Sequence, residues 1–368
     1  MAMLQLGIVG LPNVGKSSLF NALTAAGAPA ENYPFCTVEP NVGTVAVPDA
    51  RLPRIHELMG SREMVPAFIR FVDIAGLVRG ASRGEGLGNQ FLGQIREVDA
   101  IVHVIRCFDD PGVVHVMGSV GPIRDMEIVE TELALADLDT LERRIEKVDK
   151  KARSGEKEAI QELVVLQRLE GALSRGQTPR DLPLTAQERQ TVMSMNLLTM
   201  KPVILVANVS EDEVGDESNR FLRELEGHET GLVGKRRVVP ISAAMEAELP
   251  LLEPEDRRGL MGDMGLREPG LDRVIHAAYQ ELGLVTFFST GEKQTRAWTA
   301  PRGTHAPEAA GLIHTDFQRG FIRAEAIGFG EFESLGSMKA ARDHGAIRSE
   351  GKEYEVRDGD ILFFRFNV

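Results

Sequence analysis

The sequence predicts an α/β fold of the P-loop NTPase class, interrupted by a helical hairpin and followed by a separate third region. Three observations predict it. Residues 10–17 read Gly-Leu-Pro-Asn-Val-Gly-Lys-Ser, a complete phosphate-binding loop of pattern G-x-x-x-x-G-K-[ST]. Strand-like and helix-like runs alternate on both sides of residues 126–195, as in a parallel sheet covered by helices. Inside that stretch the apolar period changes to that of a narrow helical seam.

The elements follow in order. Leu4 to Val9 reads as a short buried strand leading into the loop. Gly10 and Gly15 let the backbone turn tightly, so that its N–H groups face phosphate oxygens. Lys16 reaches the β- and γ-phosphates, and the Ser17 hydroxyl ligates Mg²⁺. Ser18 to Leu23 looks helical, and a helix N-terminus attracts anions. Asn13, Val14, Gly15, Lys16, Ser17 and Ser18 are therefore the expected phosphate-binding set. Val42 to Val47 and Ala67 to Val72 read as neighbouring strands, and Ala100 to Ile105 as a buried one.

Leu138, Leu141, Ile145 and Val148 then step by helical spacing with charged residues between them, the pattern of an amphipathic helix. Gly155 marks a break, and Ile160, Leu163, Leu166 (or Val164), Leu169 and Leu173 form a return helix, so the pair reads as an antiparallel hairpin. Pro179 and Pro183 punctuate its exit, and Thr185 with Glu188 makes a capping box for a further helix. The α/β pattern resumes with core strands at Val203–Ala207 and Val238–Ile241 and a helix at Leu271–Tyr279. From Gly283 a third region shows strands at Leu284–Ser289, Thr295–Thr299 and Ile361–Phe366, with a turn at Asp358-Gly359. The expected division is residues 1–125 plus 196–282 for the nucleotide-binding domain, 126–195 for the helical insertion, and 283–368 for the third region.

Composition sets outer bounds. A chain of 368 residues exceeds one ordinary domain. Its 43% apolar and 26% charged residues are ordinary for a globular protein. A formal net charge of −13 argues against a whole-surface polyanion binder, so no DNA partner is expected; a local basic patch is still compatible. Two cysteines, Cys36 and Cys107, imply no disulfide framework and fit a reducing cytoplasm. No export signal and no membrane-spanning stretch is read, so no membrane association is expected.

Three segments narrow the chemistry. Asp73-Ile74-Ala75-Gly76 ends a predicted strand and fits the D-x-x-G element of nucleotide switches: Asp73 would hold Mg²⁺ through water and the Gly76 N–H would meet the γ-phosphate. The glycine-dense run that follows suits a segment ordered by phosphate. Upstream, Thr37 in the loop 32–37 is the natural second Mg²⁺ hydroxyl. After the strand Val203–Ala207, Asn208-Val209-Ser210-Glu211 stands where guanine-specific members of this class carry N-K-x-D. The longer Glu211 moves the carboxylate that would accept from guanine, and Val209 has no lysine stem to stack, so adenine becomes admissible. Ser242-Ala243 matches the S-A-x element that contacts the base; the plainer reading is an ordinary turn. Ras-like enzymes place a water-orienting Gln after D-x-x-G; here that residue is Leu77, which cannot polarise water. His115 is a candidate substitute or a surface-loop histidine, and Asn13 is a candidate K⁺ ligand.

Together these residues closely resemble the YchF or Obg-like ATPase family. The carrying segments are 7–17, 32–41 (Asn-Tyr-Pro-Phe-Cys-Thr-Val-Glu-Pro-Asn), 72–89, the altered Asn208 to Glu211, and Asp358 to Val368; the match covers essentially the whole chain. The resemblance implies a Ras-like G domain, an inserted α-helical coiled-coil domain and a C-terminal β-grasp TGS domain. It also implies ATP hydrolysis, with ATP preferred over or tolerated beside GTP, Mg²⁺ dependence, K⁺ stimulation and ribosome association. By position it gives Thr37 a Mg²⁺ role, His115 a catalytic role, and Asn208 and Val209 adenine contacts. Val209 departs from the Met or Leu common in the family, so GTP and GDP stay open as ligands. The leading expectation is a slow nucleotide-driven clock on the ribosome; a guanine-specific GTPase of the same fold and a nucleotide-sensing scaffold with little hydrolysis are the competitors. Arg143, Arg144, Lys147, Lys150, Lys151 and Arg153 on the insertion either meet rRNA or form a solvated face. His305 and His314 are expected to be structural, and Trp298 to lie in a core.

Overall fold

The computed structural model describes residues 3–26, 41–76, 80, 88–216, 218–228 and 237–367. Thr37, Leu77 and most of the glycine-dense run lie outside the described residues.

Strand Gln5–Val9 (β1) leads through the phosphate loop into helix Lys16–Ala26 (α1). Strand Val42–Ala46 (β2), helix Arg51–Met59 (α2) and strands Glu63–Val65 (β3) and Phe68–Asp73 (β4) follow. Helix Gly88–Glu97 (α3) and strand Ala100–Arg106 (β5) precede the long helices Pro122–Arg153 (α4) and Lys157–Ser174 (α5), then Ala186–Met193 (α6). Strand Val203–Asn208 (β6), helix Arg220–Gly227 (α7), strand Val238–Ile241 (β7) and helices Ala243–Glu248 (α8), Pro254–Asp263 (α9) and Gly270–Glu281 (α10) complete this part.

The first sheet has the order β2-β4-β1-β5-β6-β7. β1 pairs in parallel with β4 (Ile8↔Asp73) and β5 (Val9↔His103), and β6 with β5 (Asn208↔Arg106) and β7 (Asn208↔Ile241). β5 is buried along its whole length, as a central parallel strand covered on both faces must be. This register brings the phosphate loop, Asp73, Arg106 and Asn208 to the carboxyl ends of four adjacent strands, where open α/β sheets bind ligands.

The helical hairpin is longer than its apolar seam predicted. α4 has 32 residues and starts at Pro122, where proline is tolerated because its missing N–H has no intrahelical acceptor. Leu141 and Val148 of α4 pack with Val165, Leu166, Leu169 and Leu173 of α5. Gly155, at φ 88°, reverses the chain between them. The capping box is present: Thr185 N–H donates to Glu188 Oε2 (2.7 Å) and Glu188 N–H to Thr185 Oγ1 (3.3 Å). The first half of α4 also buries acidic residues. Asp137, for one, accepts from the N–H groups of Leu198 and Thr199 and from the Thr199 hydroxyl.

Strands Leu284–Thr290 (β8) and Gln294–Pro301 (β9), helices Ala306–Ile313 (α11) and Thr315–Arg319 (α12), strand Phe321–Gly328 (β10), helices Phe329–Leu335 (α13) and Met338–Asp343 (α14), and strands Arg348–Glu350 (β11) and Asp360–Phe366 (β12) make the C-terminal part. Its mixed sheet has the order β11-β10-β12-β8-β9-β3. Phe287, Ala309, Ala326 and Leu362 form its core, and Trp298 stacks on Phe287 with ring centroids 6.5 Å apart. His305 N–H donates to Glu308 Oε2 (3.1 Å) at the start of α11, and His314 Nδ1 accepts from Asp316 N–H (3.2 Å) at the start of α12; both are helix-start contacts.

The chain divides into two compact units, and Val45–Ile69 groups with Ala278–Val368 rather than with the phosphate loop. The physical reason is long-range pairing. β3 runs parallel to β9 (Glu63↔Gln294 to Val65↔Arg296), and Arg51 bridges Asp49 and Asp358 at 2.7 Å each while lying over the Phe288 ring.

Candidate nucleotide site

The first α1 hydrogen bond runs from Leu19 N–H to Gly15 O at 2.9 Å. The N–H groups of Lys16, Ser17 and Ser18 therefore have no acceptor within the helix and are available to an anion. Gly15 has φ 99°, and a Cβ there would collide with the Asn208 amide nitrogen; a Cβ on Gly10 would collide with the Val104 carbonyl. Only glycine lets the loop pass this close to its supports.

Lys16 is 8% exposed, and its ammonium donates to Leu11 O at 2.7 Å. Burial pulls its pKa down from 10.5 to about 8, and Asp73 opposes part of that shift. The Ser17 hydroxyl donates to Asp73 Oδ2 at 3.1 Å, so both expected metal-side groups in the described residues meet. The two hard oxygen donors fit Mg²⁺, which Ser17 would ligate directly and Asp73 through water. Among the described residues no cluster of three or more His, Cys, Asp or Glu could hold a metal by itself. Gly76 also approaches the loop: a Cβ there would sit 3.1 Å from Lys16 Nζ.

The base-side residues behave differently from one another. Asn208 is buried and its side chain is fully used: Nδ2 donates to Val14 O and Oδ1 accepts from Ala243 N–H, each at 3.0 Å. It ties the phosphate loop to the Ser242-Ala243 turn. Val209 is 2% exposed and packs with Ile105, Cys107, Leu205 and Met245, so its side chain is not brought to the site. Ser242 Oγ accepts from Met245 N–H and caps α8. Glu211 is exposed at the start of a short 3₁₀ turn, beside a groove of about 650 Å³ shared with Asp212, Met245 and Asp263. Asn208, Ser242, Ala243 and the phosphate-loop residues do not line that groove.

Asn13 adopts φ 61°, and its Nδ2 donates to Val114 O at 3.1 Å. The next residue, His115, is buried. Its Nδ1 accepts from Met117 N–H (3.1 Å) and its Nε2 faces Asp125 Oδ2 at 2.9 Å, without hydrogen-bond angle. A lone pair on Nδ1 places the ring proton on Nε2. His115 therefore turns neither nitrogen to the phosphate loop. Sequence reasoning passed over Arg106, Val114 and Asp125, which build this loop. The available signal was an arginine closing an otherwise apolar strand, Ala-Ile-Val-His-Val-Ile-Arg.

Residues 5–168 match a family model described as a 50S ribosome-binding GTPase, and residues 284–367 match YchF-GTPase_C, described as a protein of unknown function. The "Ribosome-binding ATPase YchF" of Escherichia coli O157:H7 is 51% identical over 98% of this chain and 99% of its own. The protein so named in Bacillus subtilis is 48% identical over 99% and 100%. The chain belongs to the YchF family. The solved YchF GTPase of Schizosaccharomyces pombe agrees in fold at a TM-score of 0.88 with 36% identity, covering 98% of this chain and 97% of that one. A GTP binding protein from Pyrococcus horikoshii OT3, at TM-score 0.61 and 20% identity, shares the fold. Among the described residues of this YchF-family chain, no helix is long and apolar enough to cross a membrane.

Proposed function

We propose that this chain is a Mg²⁺-dependent P-loop ATPase, accepting GTP and GDP less readily, that works as a slow conformational switch on the ribosome in the cytoplasm. One observation carries the reading. Lys16, Ser17 and Asp73 converge beside an unbonded helix N-terminus, with Ser17 Oγ and Asp73 Oδ2 3.1 Å apart. The names of the relatives supply the ribosome and the hydrolysis.

Lys16 and the amides of Gly15 to Ser18 bind and orient the phosphates. Ser17, Asp73 and Thr37 would hold Mg²⁺, which supplies charge neutralisation across the β- and γ-phosphates. Asn13 keeps its Oδ1 for a K⁺ ion while Nδ2 holds Val114. Ser242-Ala243 and Glu211 flank the base, with Asn208 supporting them. His115 can act on water only after leaving Met117 and Asp125, which makes unaided turnover slow. The architecture is read as a G domain in which α4 to α6 form the coiled-coil insertion and the C-terminal sheet is a β-grasp TGS module.

The test is competition of ATP, GTP and GDP for the purified full chain, with turnover measured with and without ribosomes in K⁺ and Na⁺ buffers. ATP preference and ribosome-stimulated turnover are expected. A strong GTP preference despite Glu211 would turn the reading to the GTPase that the fission-yeast relative is named for. Negligible turnover both with and without ribosomes would leave the scaffold reading.

A further inference from the structure

We propose that Arg106 is a positioning residue for the nucleotide site, fixing the 107–117 loop so that the Val114 carbonyl holds Asn13 of the phosphate loop. The inference rests on the hydrolase reading above.

Arg106 closes β5 and is 1% exposed. Its guanidinium forms no ion pair among the described residues. It donates instead to three carbonyls of the loop that follows: Nε to Phe108 O (3.1 Å), NH1 to Val113 O (2.9 Å) and NH2 to Asp110 O (3.1 Å). Its Cζ also lies 4.6 Å from the Phe108 ring centroid. A planar fork of five donors can serve three carbonyls in one plane, which a lysine ammonium cannot do in that geometry.

A buried charge without a carboxylate is costly, and an apolar residue would fill a purely structural position more cheaply. The guanidinium gathers three carbonyls of a loop whose other ties lie at Cys107, at Asp109 (to Arg220, 2.7 Å) and at buried His115. Val113, Val114, Val116 and Met117 are all exposed, Val114 at 77%, so hydrophobic packing does not hold this segment. The loop's other internal bonds are local: Gly112 N–H to Asp110 Oδ1 (2.8 Å), Val113 N–H to Asp110 O (3.2 Å) and Met117 N–H to His115 Nδ1 (3.1 Å). One residue beyond the last Arg106 contact, the Val114 carbonyl accepts from Asn13 Nδ2. Asn13 sits in the left-handed region, which asparagine tolerates better than most non-glycine residues, and the Val114 contact ties its side chain in place.

The register sharpens the point. Arg106 and Asn208 are partners on β5 and β6, and Cys107 N–H donates to Asn208 O at 2.8 Å. Asn208 grips Val14 directly, while Arg106 reaches Asn13 through Val113 and Val114. Two paired residues on adjacent strands thus hold two consecutive residues of the phosphate loop.

The experiment uses the full chain with ribosomes and compares Arg106→Lys, Asn13→Ala and the double variant. ADP affinity of Arg106→Lys is expected within about threefold of wild type, because Asn208 still supports Val14, while kcat falls about tenfold. Asn13→Ala is expected to fall similarly, and the double variant no further than the worse single one, because both break one chain of contacts. Unchanged kcat in Arg106→Lys, or losses that multiply in the double variant, would overturn the proposal. If Arg106→Lys does not fold, exposed Asp110→Ala loosens the same loop without touching the core. Its loss should likewise be non-additive with Asn13→Ala, and additivity refutes it. If the wild type shows no turnover, the hydrolase reading fails by itself, and the same cycle is read in triphosphate affinity, where additivity again refutes the proposal.

Discussion

Replacing Asn208 with alanine removes a bridge that uses every polar atom of its side chain. Val14 O and Ala243 N–H each lose a partner at 3.0 Å, and both residues are buried. A buried polar group left unsatisfied costs about 1–3 kcal/mol. Two such groups beside an open nucleotide site, where water reaches one of them, give roughly 2–4 kcal/mol. The phosphate loop then has to be ordered by the ligand, and about 2 kcal/mol of that loss corresponds to roughly thirtyfold in Kd. Asn208→Asp is predicted to bind nucleotide more weakly still. It keeps an acceptor for Ala243 N–H but turns a carboxylate oxygen towards Val14 O, beneath a loop that must receive phosphate. The assay is titration with a fluorescent ADP analogue, together with thermal unfolding of each variant. The expected affinity order is wild type, then Asn208→Ala, then Asn208→Asp. An Asn208→Ala chain that binds ADP within about twofold of wild type would refute the bridge as a support of the loop.

Ser17→Ala should raise the Mg²⁺ concentration for half-maximal ATP turnover by about tenfold or more, and chelation of Mg²⁺ should abolish turnover in both proteins. Lys16 loses its proton near pH 8 in the free protein instead of at 10.5, so the folded chain binds fewer protons than the unfolded chain between those values. Its contribution to the stability of the free protein therefore rises with pH across that window, while ADP affinity falls by up to about tenfold per pH unit above 8; an ADP titration at several pH values should show this slope and Lys16→Met should lack it. Glu211→Asp should move the ATP-to-GTP affinity ratio towards GTP by about tenfold, measured by competition. Asp137→Ala should destabilise the chain by about 2–4 kcal/mol in denaturant unfolding, because Leu198 and Thr199 N–H groups lose their acceptor.

Much of the fold was legible because its signals are local. The phosphate loop is a contiguous eight-residue pattern, the central strands are apolar runs, and the capping box needs only Thr185 and Glu188. What escaped depends on distant partners. Glu63-Met64-Val65 has no strand signature of its own; Gln294 to Arg296 makes it a strand, and with Arg51 and Asp358 it carries Val45–Ile69 into the C-terminal unit. The first half of α4 was missed because Asp125, Glu130, Glu132 and Asp137 interrupt its apolar period, yet all four are buried. At the site, the positions of Lys16, Ser17, Asp73 and Gly76 followed from spacing. The inward packing of Val209 and the roles of Arg106 and Asp125 did not, since each is set by what faces it across the sheet or loop.

On the proposed reading, the groups that would bind phosphate already touch their supports, whereas His115, which would act on water, faces Met117 and Asp125. Lys16 is tethered to Leu11 O, Ser17 touches Asp73, and Val14 is held by Asn208, so binding needs little further ordering of these groups. His115 is the opposite case. Turning its ring towards water breaks the hydrogen bond from Met117 N–H, about 1 kcal/mol, and takes Nε2 away from Asp125 Oδ2. A partner that engaged Asp125 or the Met117 amide would remove that penalty without touching the phosphate loop. On the proposed reading, Asn208 and Lys16 would act on nucleotide affinity and the loop that begins with Arg106 on the rate, so the two could be regulated separately.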